Sequence, residues 1–256
     1  MRHKKTILLL SALLIGGCTA IVLPMLRDAR EAARRTSCKC FLKQLGLSLH
    51  SYHDDYGSFP PAYVTGSDGR PWHSWRVLLL PYMDQMDLYK QYSFSEPWDG
   101  PNNIKLLMCR PPGYACPSYD EPVSVTRSIV GSIGLFACTS TVAQPGVTTS
   151  YAGVFGPGCV FRGSEPVSTK DITDGTSNTF LVGEVTDANI PWTKPEDVDI
   201  TKFPQLGDQR GFSSKHNRGV QFLLADGSAK FVSLNVAQST LDILYTIADG
   251  KTVPDY

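Results

Sequence analysis

An excess of charge of either sign is the first thing this chain lacks. Its 24 basic and 24 acidic side chains cancel to zero at neutral pH, and no basic stripe stands out past Lys43. The long-range field that draws a protein onto nucleic acid is therefore missing, and no nucleic-acid partner is expected. Also missing are a Gly-x-Ser-x-Gly elbow, a phosphate-binding glycine loop and a His-Glu-x-x-His pair. Nothing in the chain requires an enzyme. No internal repeat and no low-complexity segment occurs, which sets aside solenoids and flexible arrays. Glycine and proline are absent from Asp28 to Tyr52 apart from Gly46, so nothing there stops a helix. Elsewhere they are plentiful, 18 prolines and 22 glycines, and that composition implies short strands joined by many turns.

The N-terminus lacks charge in a different way. After the basic head Met1–Lys5, the stretch Thr6 to Leu26 carries no charged residue. As a helix it would be about 30 Å long, the thickness of a hydrocarbon core. This reads as an uncleaved anchor: residues 1–26 form a cytoplasmic head and a single-pass span through the lipid bilayer. Residues 27–256 form an extracytoplasmic domain of about 230 residues, with enough apolar side chains for one core. A cleaved secretory signal is the alternative. So is a lipoprotein, because Leu14-Ile-Gly-Gly-Cys18 resembles a lipobox and makes Cys18 a lipidation candidate. Basic residues flank both ends of the span, so the positive-inside count is ambiguous; a five-residue head is the part more easily left inside. Pro24 is expected to kink the helix near the membrane surface.

Cysteine usage suits an oxidising compartment. Setting Cys18 aside leaves Cys38, Cys40, Cys109, Cys116, Cys138 and Cys159, enough for three disulfides among fifteen pairings. Cys38 and Cys40 stand about 200° apart on a helix and need different partners. Zinc is the alternative, although the C-x-C and C-x6-C spacings match none of the usual knuckles.

The anchor is expected to continue as one helix to about Tyr52. Cys38, Leu42, Leu45, Leu49 and Tyr52 form an apolar stripe, and Arg27, Arg30, Arg34, Arg35 and Lys43 lie largely off it. Gly57-Ser-Phe-Pro-Pro61 ends the region. Ser74–Tyr82 reads as a buried element leading into a short helix over Met83–Tyr92. Strands are predicted around Ser128–Ala137, Thr149–Phe155 and Thr179–Val185. The clearest signal is a hairpin over Gly219–Ser233, with Asp226-Gly227 at its turn. Ser239 is expected to cap a last helix that Gly250 stops.

Taken in order, these pieces resemble a known family. They are Leu23-Pro-x5-Arg-Glu-Ala-Ala-Arg-Arg35, Leu42-Lys-Gln-Leu-Gly46, Tyr52-His-Asp54, Gly57-x-Phe-Pro-Pro-Ala62 and Ser74-Trp-Arg-Val. They continue with Glu96-Pro-Trp-Asp-Gly-Pro-Asn-Asn103, Cys116-Pro-Ser118, Thr149-Ser-Tyr151, Asp171–Thr179 and Pro191–Asp197. Last comes His216, nine residues, then Asp226-Gly227. The chain resembles the DUF1559 family, pilin- or pseudopilin-like bacterial proteins with that prepilin-type processing-associated H-X9-DG signature. The resemblance implies an α+β, type IV pilin-like fold: a long N-terminal helix, half transmembrane and half amphipathic, packed on an antiparallel sheet with large loop insertions. It further implies an inner-membrane, periplasm-facing protein of structural or assembly role, with pilin-like or secretion-system subunits as partners. One departure stands out. Met1–Leu26 has no glutamate, and Lys5-Thr-Ile-Leu8 lacks the cleavage glycine of a prepilin peptidase site, which favours a retained anchor over a processed subunit.

Candidate chemistry is sparse. His216 and Asp226 would lie about 30 Å apart if the residues between them formed one extended strand, so they read as a loop-bonding histidine and a turn aspartate, not a dyad. Asp171, Thr173, Asp174, Thr176 and Asn178 offer oxygens around Gly175, and Asp171, Asp174, Thr176 and Asn178 are the calcium candidates. Turn and cap roles are the plainer reading; no other cofactor is expected. His50, His53 and Asp54 share a helical turn, with no third ligand for zinc evident. Trp72, Trp75, Trp98 and Trp192 lie in proline-rich loops, where they either cap the core or form a carbohydrate- or partner-binding surface. That surface belongs to the rival reading, an anchored module that binds a carbohydrate or another envelope component.

Overall fold

The computed structural model describes residues 2–118, 146–216 and 218–254, with side chains on the first helix described at Met25, Leu26 and from Asp28 onward. That helix, α1 (Arg2–Tyr56), is unbroken over 55 residues and passes through Pro24. At about 1.5 Å per residue it is some 80 Å long. It ends where Gly57 adopts a positive φ and returns its N–H to the His53 carbonyl, a left-handed cap that glycine accepts without strain.

A two-stranded ribbon follows, β1 (Tyr63–Thr65) with β2 (Pro71–Ser74). Then come α2 (Trp75–Leu78), a 3₁₀ turn at Leu80–Met83 and α3 (Met86–Gln91). Ser74 caps α2 by accepting from the Arg76 N–H. The main sheet has five strands in the order β5-β3-β4-β6-β7. They are β3 (Tyr151–Phe155), β4 (Phe180–Glu184), β5 (Val198–Asp199), β6 (Gly219–Leu224) and β7 (Ala229–Ser233). The helix α4 (Gln238–Tyr245) closes the fold.

The molecule is thus α+β with its N-terminal helix packed on a sheet, as expected, but the sheet is mixed. Strand β5 runs parallel to β3, while every other pairing is antiparallel. After β4 the chain crosses back to the far side of β3, and a strand entering there from the same end as β3 has to lie parallel to it.

The central strands are buried on both faces, which the strict alternation of Val220, Phe222 and Leu224 does not reveal. Tyr151, Leu181 and Leu223 face α1 and pack with Leu42, Leu45, Leu49 and Trp75. Ala152, Phe180, Val220, Phe222 and Leu224 face the other way, against Leu241, Leu244 and Tyr245. Period-two alternation separates the two cores, except at the register break in β4, where Leu181 and Val182 both join the first. On α1 the stripe behaves as read: Cys38, Leu42, Leu45 and Leu49 are fully buried and Tyr52 packs at the margin.

The hairpin forms where expected, with Asp226-Gly227 in its loop: Gly227 N–H bonds Leu224 C=O, Leu224 N–H bonds Ser228 C=O, and Gly227 has φ +82°. This is a type I turn followed by a left-handed glycine, so the Asp-Gly pair closes a three-residue loop. Ser239 lies inside α4, whose N-cap is Ala237 with no side-chain bond, and the helix stops at Tyr245, before Gly250. Thr246 turns extended, Ile247 N–H bonds the Gly158 carbonyl, and the Asp174 carboxylate accepts from Asp249 N–H (2.6 Å) and Gly250 N–H (2.9 Å), so the chain past Tyr245 is held by the body and not by the helix. The strand expected over residues 128–137 lies outside the described residues.

Candidate functional site

One face of α1 carries Glu31, Arg34, Arg35 and Cys38, spaced i, i+3, i+4 and i+7. Opposite them, β4 ends in Glu184, and the loop entering β6 presents His216. A third segment brings Cys116. Cys38 and Cys116 form a disulfide between α1 and a loop 78 residues on. The His216 ring sits against it, with Nε2 3.6 Å from Cys116 Sγ and 3.6 Å from Glu184 Oε1. Donor atoms of Cys38, Cys116, Glu184 and His216 all lie within 4.8 Å of one another, and all four residues are buried.

A polar collar holds this centre. Glu31 Oε1 is 2.5 Å from His216 Nδ1, and Glu31 Oε2 accepts from Arg34, which also donates to Ser118. Partial burial raises the Glu31 pKa, but the bonds from His216 and Arg34 outweigh it and hold the carboxyl below its ordinary value. Glu184 is the reverse case. Burial dominates and pushes its pKa up, although Gln221 N–H donates to Oε2 at 3.0 Å. Its other oxygen, Oε1, is buried with no hydrogen-bond partner. Orphaned buried oxygens are rare, and one aimed at a histidine and two sulfurs is a chemical signal.

Most of the polar residues in the recurring motifs meet in this way. Arg76 of Ser74-Trp-Arg-Val pairs with Asp197 at 2.6 Å, both buried, and Asp197 also takes bonds from Trp75 Nε1 and Gly153 N–H. Asn103 donates to the carbonyls of Ser93, Glu96 and Pro97, while Glu96 accepts from the Asn102 and Asn103 N–H groups. The first of these pairs joins motifs 121 positions apart, and the second set folds one motif on itself. The chain belongs to the DUF1559 family. The family described as a protein of unknown function (DUF1559) matches residues 27–205, about two thirds of the chain. No curated protein and no solved structure matches it. The matched span contains Glu31, Cys38, Cys116 and Glu184 of the buried centre; His216 and the Asp226-Gly227 hairpin lie beyond it.

In this DUF1559 member the H-X9-DG signature spans β6 from end to end. His216 meets Glu31 near the start of the packed part of α1. Gly227 meets α1 further along, at Gly46 and His50. The two ends do not converge, so they form no dyad, but His216 is more than a loop-bonding residue: it reaches a helix carboxylate and the cysteine pair.

Other candidates separate in space. The disulfide expectation holds for Cys38 and Cys116, and Cys109 is disulfide-bonded too; Cys138 lies outside the described residues. Cys40 and Cys159 are free, against the expectation of three bridges. Cys40 points about 200° away from Cys38 on α1 and faces outward, and Cys159 is enclosed in the second core, where burial pushes its thiol pKa up to about 12. The calcium candidates are engaged in internal bonds. Asp171 closes a capping box with Ser168, Asp174 takes the Asp249 and Gly250 N–H groups, Asn178 donates to the Asp174 carbonyl, and the Thr176 carbonyl accepts from Asp226 N–H. His53 Nε2 accepts from Thr169 N–H, while His50 packs edge-on to Phe59, so they share no ligand. Trp75 and Trp192 are core residues, whereas Trp72 and Trp98 are half-buried and line a groove of about 360 Å³ with Arg70 and Lys194.

Residue spacing could not disclose the buried centre, because its four ligand-type residues come from four separate segments. The one available hint was Glu31, an acid at i−7 from a helical cysteine.

Among the described residues no helix is long and apolar enough to cross a membrane. The side chains of residues 1–24, hence Cys18, Pro24 and nearly all of the expected span, lie outside the described residues.

Proposed function

We propose that this DUF1559 member is a membrane-anchored, pilin-like structural or assembly protein of the bacterial cell envelope, non-catalytic, with its body outside the cytoplasm. One observation carries the reading: α1 runs without a break from Arg2, through the uncharged stretch, into the core of the body. Met25 and Leu26, at the body-side end of the uncharged stretch, are 65% and 47% exposed, and an uncharged, apolar helix that continues from such exposed residues is an anchor that lipid satisfies. Pilins share this plan of a half-embedded helix on a sheet. The Cys38–Cys116 bridge suits an oxidising compartment, and the motif side chains are engaged in internal bonds.

Fractionation tests it. The native protein is expected in the membrane pellet, released by detergent and not by high salt or alkaline carbonate. Full-length protein recovered free in the soluble fraction would sink the proposal. Intact mass then separates a retained N-terminus from a chain lipidated at Cys18.

A second reading has its own observation, the groove between Trp72 and Trp98, with cations at Arg70 and Lys194. It makes the body a module that binds an acidic or neutral glycan. A glycan array with hits abolished by Trp98→Ala would favour it, and an array with no hits would dismiss it.

A further inference from the structure

We propose that, when its cysteines are reduced, the centre formed by Cys38, Cys116, His216 and Glu184 binds zinc. This inference does not depend on the anchor or on the pilin-like role.

The donor set is right for the metal. Zinc takes thiolate, imidazole and carboxylate ligands in a tetrahedron with bonds of about 2.0–2.3 Å, which places ligand atoms about 3.3–3.8 Å apart. His216 Nε2 already stands 3.6 Å from Cys116 Sγ and 3.6 Å from Glu184 Oε1. The remaining ligand atoms stand within 4.8 Å of one another, and the two sulfurs must separate, as they do when the S–S bond is broken. The second observation is the orphan: Glu184 Oε1 is buried, accepts no hydrogen bond and lies in the same cluster, 3.6 Å from His216 Nε2. A buried carboxylate oxygen left bare is costly, and a cation would satisfy it.

The surroundings fit as well. A His216 ring that donates its Nδ1–H to Glu31 presents Nε2 inward as the atom a metal would take. A carboxylate behind a ligating histidine is the usual second support of zinc sites. Two thiolates, one carboxylate and Zn²⁺ sum to one negative charge, which the positive field of Arg35 at Glu184 partly offsets. The spacing of the cysteines along the chain argued against a zinc knuckle; the mixed ligand set comes from four segments and needs no such spacing.

The chemistry balances. An external dithiol supplies two electrons and two protons to the disulfide and is itself oxidised to a disulfide, leaving two thiols. Zinc binding then displaces both protons as the sulfurs become ligands. Reoxidation by a disulfide-bearing partner re-forms the S–S bond and expels the ion.

The test uses the full chain in detergent, reduced with a phosphine and then dialysed against zinc alone. About one zinc per chain is expected by elemental analysis. Cobalt in its place should show tetrahedral d–d bands and thiolate charge transfer. Binding should vanish in the Cys38→Ser/Cys116→Ser double variant, which still contains Cys18, Cys40, Cys109, Cys138 and Cys159. It should also vanish in His216→Gln and weaken at least about tenfold in Glu184→Gln, both of which keep the cysteines. Glu31→Gln should weaken it about 10–100-fold, as loss of a histidine's supporting carboxylate does. A reduced chain that takes up no zinc overturns the proposal. So does zinc uptake that survives both His216→Gln and Glu184→Gln, and so does a reduced chain that unfolds and stays unfolded when zinc is added.

Discussion

Arg76 shows how much a single side chain can carry. Fully buried, it donates to the Tyr151 carbonyl, Ser74 Oγ and the Glu196 carbonyl, and pairs with Asp197. Removing one partner of such a pair leaves a bare buried charge, so Arg76→Ala is expected to cost about 3–5 kcal/mol in denaturant melts. Arg70, paired with Asp68 in solvent, should give no measurable change when replaced by alanine. Asp199 makes a pH-dependent contribution. Partial burial raises its pKa, but Lys202 and Thr201 outweigh that and hold it below its ordinary value of 3.8. A depressed carboxylate pKa means stability that is present above the unfolded value and lost as pH falls through the folded one. Asp199→Asn should therefore cost about 0.5–1 kcal/mol near neutral pH, with the gap to the unmodified protein closing below pH 3.8. A gap that is constant with pH would contradict this assignment.

At the scale of elements, the decisive contact is between α1 and the β6–β7 hairpin. Strand β6 runs in the same direction as α1, from His216 at Glu31 to the hairpin loop at Gly46. A Cβ added there would stand 2.8 Å from Leu223 Cδ1 and 3.2 Å from Gly227 Cα. Alanine at an exposed helix site gains about 1 kcal/mol over glycine. Here Gly46→Ala is expected to lose stability instead, because one of the two obstructing groups is backbone that cannot rotate aside. A higher melting temperature in that variant would show that the helix can shift outward at no cost. The pairing makes sense of two glycines visible in the sequence. Gly46 was legible only as an oddity within a helical run and Gly227 only as a turn residue; that each exists partly for the other required the coordinates. The stripe from Cys38 to Leu49 was legible because one period of 3.6 residues faces one partner. The mixed topology was not, since nothing local marks β5 as belonging beside β3.

For the whole molecule, the Cys38–Cys116 bridge is the long-range tie, closing a loop of 78 residues between the stalk helix and the body. Serine at Cys38 is expected to lower the stability of the oxidised protein by about 2–5 kcal/mol, measured by thermal or denaturant unfolding without reductant. Cys40→Ser, on the outer face, should change little. By itself, the sequence determined the long helix with its buried stripe, the hairpin and the family, because periodicity, turn chemistry and ordered motifs are properties of neighbouring residues. It also determined which cysteine of the Cys38/Cys40 pair could face inward. Tertiary structure alone decided which cysteine is Cys38's partner, the pairing of Arg76 with Asp197, and the gathering of Glu31, His216 and Glu184 around two sulfurs. Those groups lie up to 185 positions apart, and no local rule of residue spacing reaches across that distance. They become neighbours only when burying two apolar faces of one sheet forces their segments together.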